Sequence, residues 1–152
     1  MRKFWITLGL LAAGTALAGL KPFQVKAKTE SDKQVQLALK EMNDACGTKV
    51  EADLDMSAYA GDEWTKYVAD KPGQICSHAL DGVKALCKDA AYKSAVADSL
   101  KKVTCSCDGT TDPIEKNLSF KGGTLSFKMN IKHDNMSPDR EAQHFLAKEL
   151  NK

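Results

Sequence analysis

No surplus of charge marks this sequence: 22 Lys and Arg stand against 20 Asp and Glu, a formal net charge of +2. A nucleic-acid or anionic-membrane partner calls for a basic excess, and the slight one here does not survive removal of the leader described below. Aromatic residues are scarce, at 7%. No Gly-x-Ser-x-Gly, no His-Glu-x-x-His and no phosphate loop occurs, so three common routes to catalysis lack their residues. Histidines number 3. No zinc-finger pair of cysteine motifs is present. One apolar run stands out, and it lies at the start.

Arg2 and Lys3 open the chain, and residues 4–20 carry no charge. Ala16-Leu17-Ala18 supplies the small-x-small exit. Charged head, apolar middle and small-residue exit define a secretory signal peptide over residues 1–18. A membrane anchor is the competing reading. A spanning helix needs about 20 apolar residues, and Gly9 and Gly14 dilute this short run. Gly19 after the cut excludes a lipid-anchored cysteine. Val25-Lys26-Ala27 is a second cleavage site. A cut after Ala18 takes the net charge from +2 to 0, and a cut after Ala27 takes it to −2. The expected product is secreted or periplasmic, with no stable membrane anchor after cleavage and no nucleic-acid partner.

The rest reads as a mobile lead-in over 19–30 and one domain over 31–152. Ser31 is expected to cap a helix. Val35, Ala38, Leu39, Met42, Ala45 and Cys46 form its apolar stripe, and Gly47 stops it. Val50, Ala52, Leu54 and Met56 alternate with Glu51, Asp53 and Asp55, which predicts a strand with an acidic wet face. The three acids lack the loop spacing and glycine of a calcium-binding EF-hand.

A short helix is expected over 62–70, then a turn at Lys71-Pro72-Gly73. Ile75, Cys76, Ala79, Leu80, Val83, Leu86 and Cys87 share a helical face, and residues 90–100 repeat that pattern after a break near Asp89. Residues 103–107 alternate as a strand. Gly122-Gly123 joins two alternating segments into a hairpin that pairs Phe120 with Leu125 and Leu118 with Phe127. Ser137 and Pro138 begin a last helix with Ala142, Phe145, Leu146 and Leu150 inward. The expected fold is α+β: an antiparallel sheet of about four strands, near 50–56, 102–107, 116–121 and 124–132, with helices on one face.

Cysteines number 5: Cys46, Cys76, Cys87, Cys105 and Cys107. Outside the cytoplasm their default is disulfides. On one helix Cys76 and Cys87 stand about 16 Å apart, too far to bond. The expected pairs are Cys46 with Cys76, and Cys87 with Cys105 or Cys107. A structural framework with one spare thiol is the leading expectation. Thiol–disulfide chemistry at Cys105-x-Cys107 is the first alternative, although no helix N-terminus is there to lower a thiol pKa. A metal held by Cys105, Cys107 and His78 is the second. His133 and His144 read as surface or cap residues.

Asn117-Leu118-Ser119 fits a glycosylation triplet. Tyr59, Trp64 and Tyr67 form an aromatic group that suits an interaction patch. The sequence therefore leads to an exported, non-enzymatic binding or envelope-interaction module with no cofactor and an unidentified protein or envelope partner. An exported thiol-redox or metal-binding protein is the alternative.

Overall fold

A computed structural model describes residues 20–57, 71–109, 114–130 and 137–152. The expected helix over 62–70, the aromatic group Tyr59, Trp64 and Tyr67, and His133 lie outside the described residues.

The elements run α1 (Pro22–Cys46), β1 (Glu51–Asp55), α2 (Lys71–Leu86), α3 (Ala90–Ser99), β2 (Lys102–Ser106), β3 (Leu118–Lys121), β4 (Thr124–Lys128) and α4 (Pro138–Leu150). A 3₁₀ turn, Ile114–Asn117, leads into β3. The fold is α+β.

Helix α1 starts at Pro22 and not at Ser31. Proline suits the first helical position. Gln24 Oε1 accepts the Lys21 backbone N–H at 2.7 Å, as a residue at that place in the first turn can. Phe23 and Ala27 carry the apolar stripe back toward the N-terminus and pack against Met56. Ser31 looks like a cap because it is small and polar. It is instead fully buried within the helix. There α1 crosses α2 so closely that a Cβ on Gly73 would lie 2.5 Å from Ser31 Cα.

Val35, Ala38, Leu39, Met42 and Cys46 are buried as the stripe predicts, while Ala45 is exposed. Gly47 ends the helix in the left-handed region at φ 70°. Lys71-Pro72-Gly73 forms the first turn of α2 and not a separate turn. The break near Asp89 is present. Asp89 caps α3, its carboxylate accepting the Ala91 and Tyr92 N–H groups at 2.8 and 3.2 Å.

The sheet order is β1-β2-β4-β3. β1 pairs with β2, and β2 with β4, in parallel; only β3 and β4 are antiparallel. The expected antiparallel sheet is therefore corrected to a mixed, mostly parallel one. Two connections decide this. Helices α2 and α3 form the long crossover that lets β1 and β2 run the same way. The chain then places β3 at the far edge, and the hairpin returns β4 between β3 and β2. Alternation signals a strand with one wet face. It does not signal direction, because among the described residues these parallel strands are covered by helices on one face and carry polar side chains on the other.

The hairpin register is the expected one: Phe120 opposite Leu125, and Leu118 opposite Phe127. Gly122 and Gly123 take φ 57° and 81° in the two-residue turn. Ala52, Val103, Cys105, Leu118, Leu125 and Phe127 point into the core with Leu80, Val83, Val96 and Leu146 from the helices. The other face is polar. Lys102 reaches Asp53 at 2.5 Å, and Thr104 Oγ1 lies 3.0 Å from Ser126 Oγ.

Candidate functional site

Two disulfides join the cysteines: Cys46–Cys87, with Cα atoms 5.1 Å apart, and Cys76–Cys105, with Cα atoms 5.9 Å apart. The expected partners of Cys76 and Cys87 are thereby exchanged. The expected pairs follow if the strand, returning from the C-terminal end of the helical stretch, meets Cys87 before Cys76. Helix α3 intervenes and brings Cys105 beneath the second turn of α2, where Cys76 lies. Cys46 and Cys87 then meet because each sits at the end of its helix, the last residue of α1 and the first after α2. Cys76 and Cys105 are wholly buried, and Cys46 and Cys87 nearly so.

Cys107 is the free thiol. It is half-buried against the core and against a satellite cluster of Met56 with Leu20, Phe23, Ala27 and Leu54. Burial pushes its pKa up to about 12, helped by the charges of Asp55 and Asp108. A reactive cysteine needs the opposite surroundings: positive potential, exposure and a lowered pKa. Cys105 is spent in a disulfide, so no Cys105-x-Cys107 dithiol is present. Asp108 itself is held below the usual carboxylate range by the Ser106 hydroxyl and by Lys128.

The proposed metal set comes apart for the same reason. Cys105 is bonded to Cys76, and His78 stands exposed on α2, its Nδ1 3.9 Å from Asp81. Among the described residues, no group of three or more His, Cys, Asp or Glu side chains is placed to hold a metal. His144 is exposed on α4. Asn117 is only 3% exposed, so the folded surface does not present the glycosylation triplet.

The spacing of motifs gives no hint of a groove between α1 and β1. Its volume is about 320 Å³. One wall is β1, residues 52–55; the other is Lys28, Asp32, Val35 and Gln36. Those four positions lie on one side of α1, at i, i+4, i+7 and i+8. The groove's apolar lining is Val35 and Ala52, both buried, and Leu54, half-buried. The rim is charged. Lys28 binds Asp32 at 2.8 Å and Lys102 binds Asp53, while Asp55 accepts a hydrogen bond from the Ser57 N–H. The one signal in the sequence was the continuation of the α1 stripe before Ser31. A second hollow, between α1 and α2, is flanked by Leu37, the one large apolar side chain that is strongly exposed among the described residues, at 62%.

No helix among the described residues is long and apolar enough to cross a membrane. The chain matches no family model, no curated protein and no solved structure.

Proposed function

We propose that this chain is an exported, non-enzymatic binding module: a leader over residues 1–18 directs it out of the cytoplasm, and its two disulfides stabilise it there. The observation that carries the reading is the pairing of four buried cysteines, which suits an oxidising compartment. The alternative, thiol or metal chemistry at Cys105 and Cys107, is weighed down by the same pairing and by the thiol pKa near 12.

Cleavage after Ala18 accords with the extent of α1. It leaves the helix whole, whereas cleavage after Ala27 removes its first turns, with Phe23 and the buried Gln24. The interaction patch at Tyr59, Trp64 and Tyr67 remains part of the proposal.

Expression of the full chain in an exporting bacterial host, followed by fractionation, tests the reading. Oxidised protein beginning at Gly19 outside the cytoplasm is expected. Replacing Leu8 and Leu11 by arginine should hold the chain inside, uncut. Trp64→Ala should weaken partner binding and leave folding intact. Uncut, reduced protein in the cytoplasm from the native sequence contradicts the export reading.

A further inference from the structure

We infer that the free edge of β1, together with the facing stripe of α1, takes up an extended protein segment of alternating apolar and basic residues as an added strand. This rests on the binding-module reading and names the class of partner and the place.

The backbone comes first. β1 ends the sheet order β1-β2-β4-β3 among the described residues. The Glu51 N–H donates to the Lys101 carbonyl on the β2 side at 3.1 Å. Backbone groups alternate direction along a strand. Glu51, Asp53 and Asp55 therefore turn theirs toward β2, and Ala52 and Leu54 turn theirs toward the open edge. An extended chain can pair with those two residues by main-chain hydrogen bonds, with side-chain pockets giving specificity.

The groove selects what kind of chain. Apolar side chains of the added strand fall on the inner side, over Leu54 and Val35. The neighbouring side chains fall on the outer side, beside Asp53 and Asp55. Three carboxylates (Asp32, Asp53 and Asp55) and a single ammonium (Lys28) line the groove. Lys102 answers Asp53 from β2, and among the described residues no ion pair answers Asp55. The remaining potential is negative and favours a basic partner.

A second copy of this chain is the obvious rival occupant. Antiparallel pairing of two β1 strands centred on Asp53 sets Asp53 against Asp53 and Glu51 against Asp55. Like charges directly opposite destabilise a strand pair. Charge on an edge strand guards against such self-association. The same carboxylates leave the edge open to lysine and arginine.

The test uses the oxidised protein purified from the exporting compartment, labelled with ¹⁵N. The probe is a capped octapeptide of alternating valine and lysine. Shifts of the Ala52 and Leu54 amides are expected, with smaller ones along the Lys28–Gln36 side of α1. An N-methylated version of the peptide, which lacks the backbone donors, should not bind. A valine–glutamate version should not bind either. Asp55→Lys should weaken the lysine peptide by about fivefold, with circular dichroism showing the fold retained. No shift at Ala52 and Leu54 up to about 1 mM peptide overturns the inference. Binding that survives N-methylation, or that is equal for the glutamate peptide, does the same. A natural partner whose binding is lost in Trp64→Ala but unchanged in Asp55→Lys removes the groove and keeps the binding module.

Discussion

Cys105 and Cys107 stand side by side at the end of β2, and the fold gives them opposite fates. Cys105 points into the core and closes a disulfide with Cys76 of α2. Cys107 lies just past the strand, packed against Met56 as Phe23 and Ala27 of α1 are, and stays a thiol. One ties helix to sheet, and the other fills space beside Met56.

The disulfides should open in a fixed order. Both close long loops, with sequence separations of 41 and 29. In the chain-entropy account each then stabilises by about 4 kcal/mol, so loop length does not separate them. Burial does. Cys76 and Cys105 are 0% exposed, while Cys87 at the end of α2 is 8% exposed. Limited reduction of the native protein, followed by alkylation and peptide mapping, should label Cys46 and Cys87 first. Losing either bond should lower unfolding stability by a few kcal/mol.

Alkaline pH should destabilise the protein through Cys107. Its thiol ionises near pH 9 when unexceptional and near 12 in the fold. The folded state thus keeps a proton that the unfolded chain gives up. That contribution is complete below about pH 9 and is lost as pH rises toward about 12, at no more than about 1.4 kcal/mol per pH unit. Denaturant midpoints across this range should fall less steeply in Cys107→Ala. Phe23→Ala, which thins the cluster around Met56 that Cys107 also joins, should speed alkylation of the thiol in the native protein.

Gly82 should tolerate no side chain. A Cβ there would meet the Asp139 carbonyl oxygen at 2.0 Å, where α2 crosses the first turn of α4. The obstacle is backbone and cannot rotate away. Gly82→Ala should cost about 2 kcal/mol or more by forcing the helices apart, read as a lower denaturation midpoint with both disulfides present.

Much of this was legible in residue patterns, and the failures have physical causes. The hairpin could be read to the residue, because a Gly-Gly turn and period-two alternation act locally. The helix faces of α1, α2 and α4 could be read because burial repeats at the helical period. Strand direction could not be read, since it depends on where α2, α3 and β3 carry the chain. Disulfide partners failed with it, because Cys105 meets Cys76 only once α3 intervenes. The groove beside β1 was hidden for a related reason: Ser31 resembles a cap, and only tertiary packing shows it buried within a longer helix.

Asn43 should matter more than its half-exposed position suggests. Its amide donates to the Val50 carbonyl at 2.9 Å, and its Oδ1 accepts from the Val50 N–H at 2.9 Å and the Thr48 hydroxyl at 2.6 Å. Three bonds thus fix the turn from α1 into β1. Asn43→Ala should destabilise by about 1–3 kcal/mol. Hydrogen exchange at β1 should rise more than at β4.

Intact mass of the protein recovered from the exporting compartment, denatured and alkylated without reductant, tests the central claim most directly. The account predicts a chain beginning at Gly19 that carries one alkyl group, on Cys107. Three or more alkyl groups would show a reduced framework and contradict it.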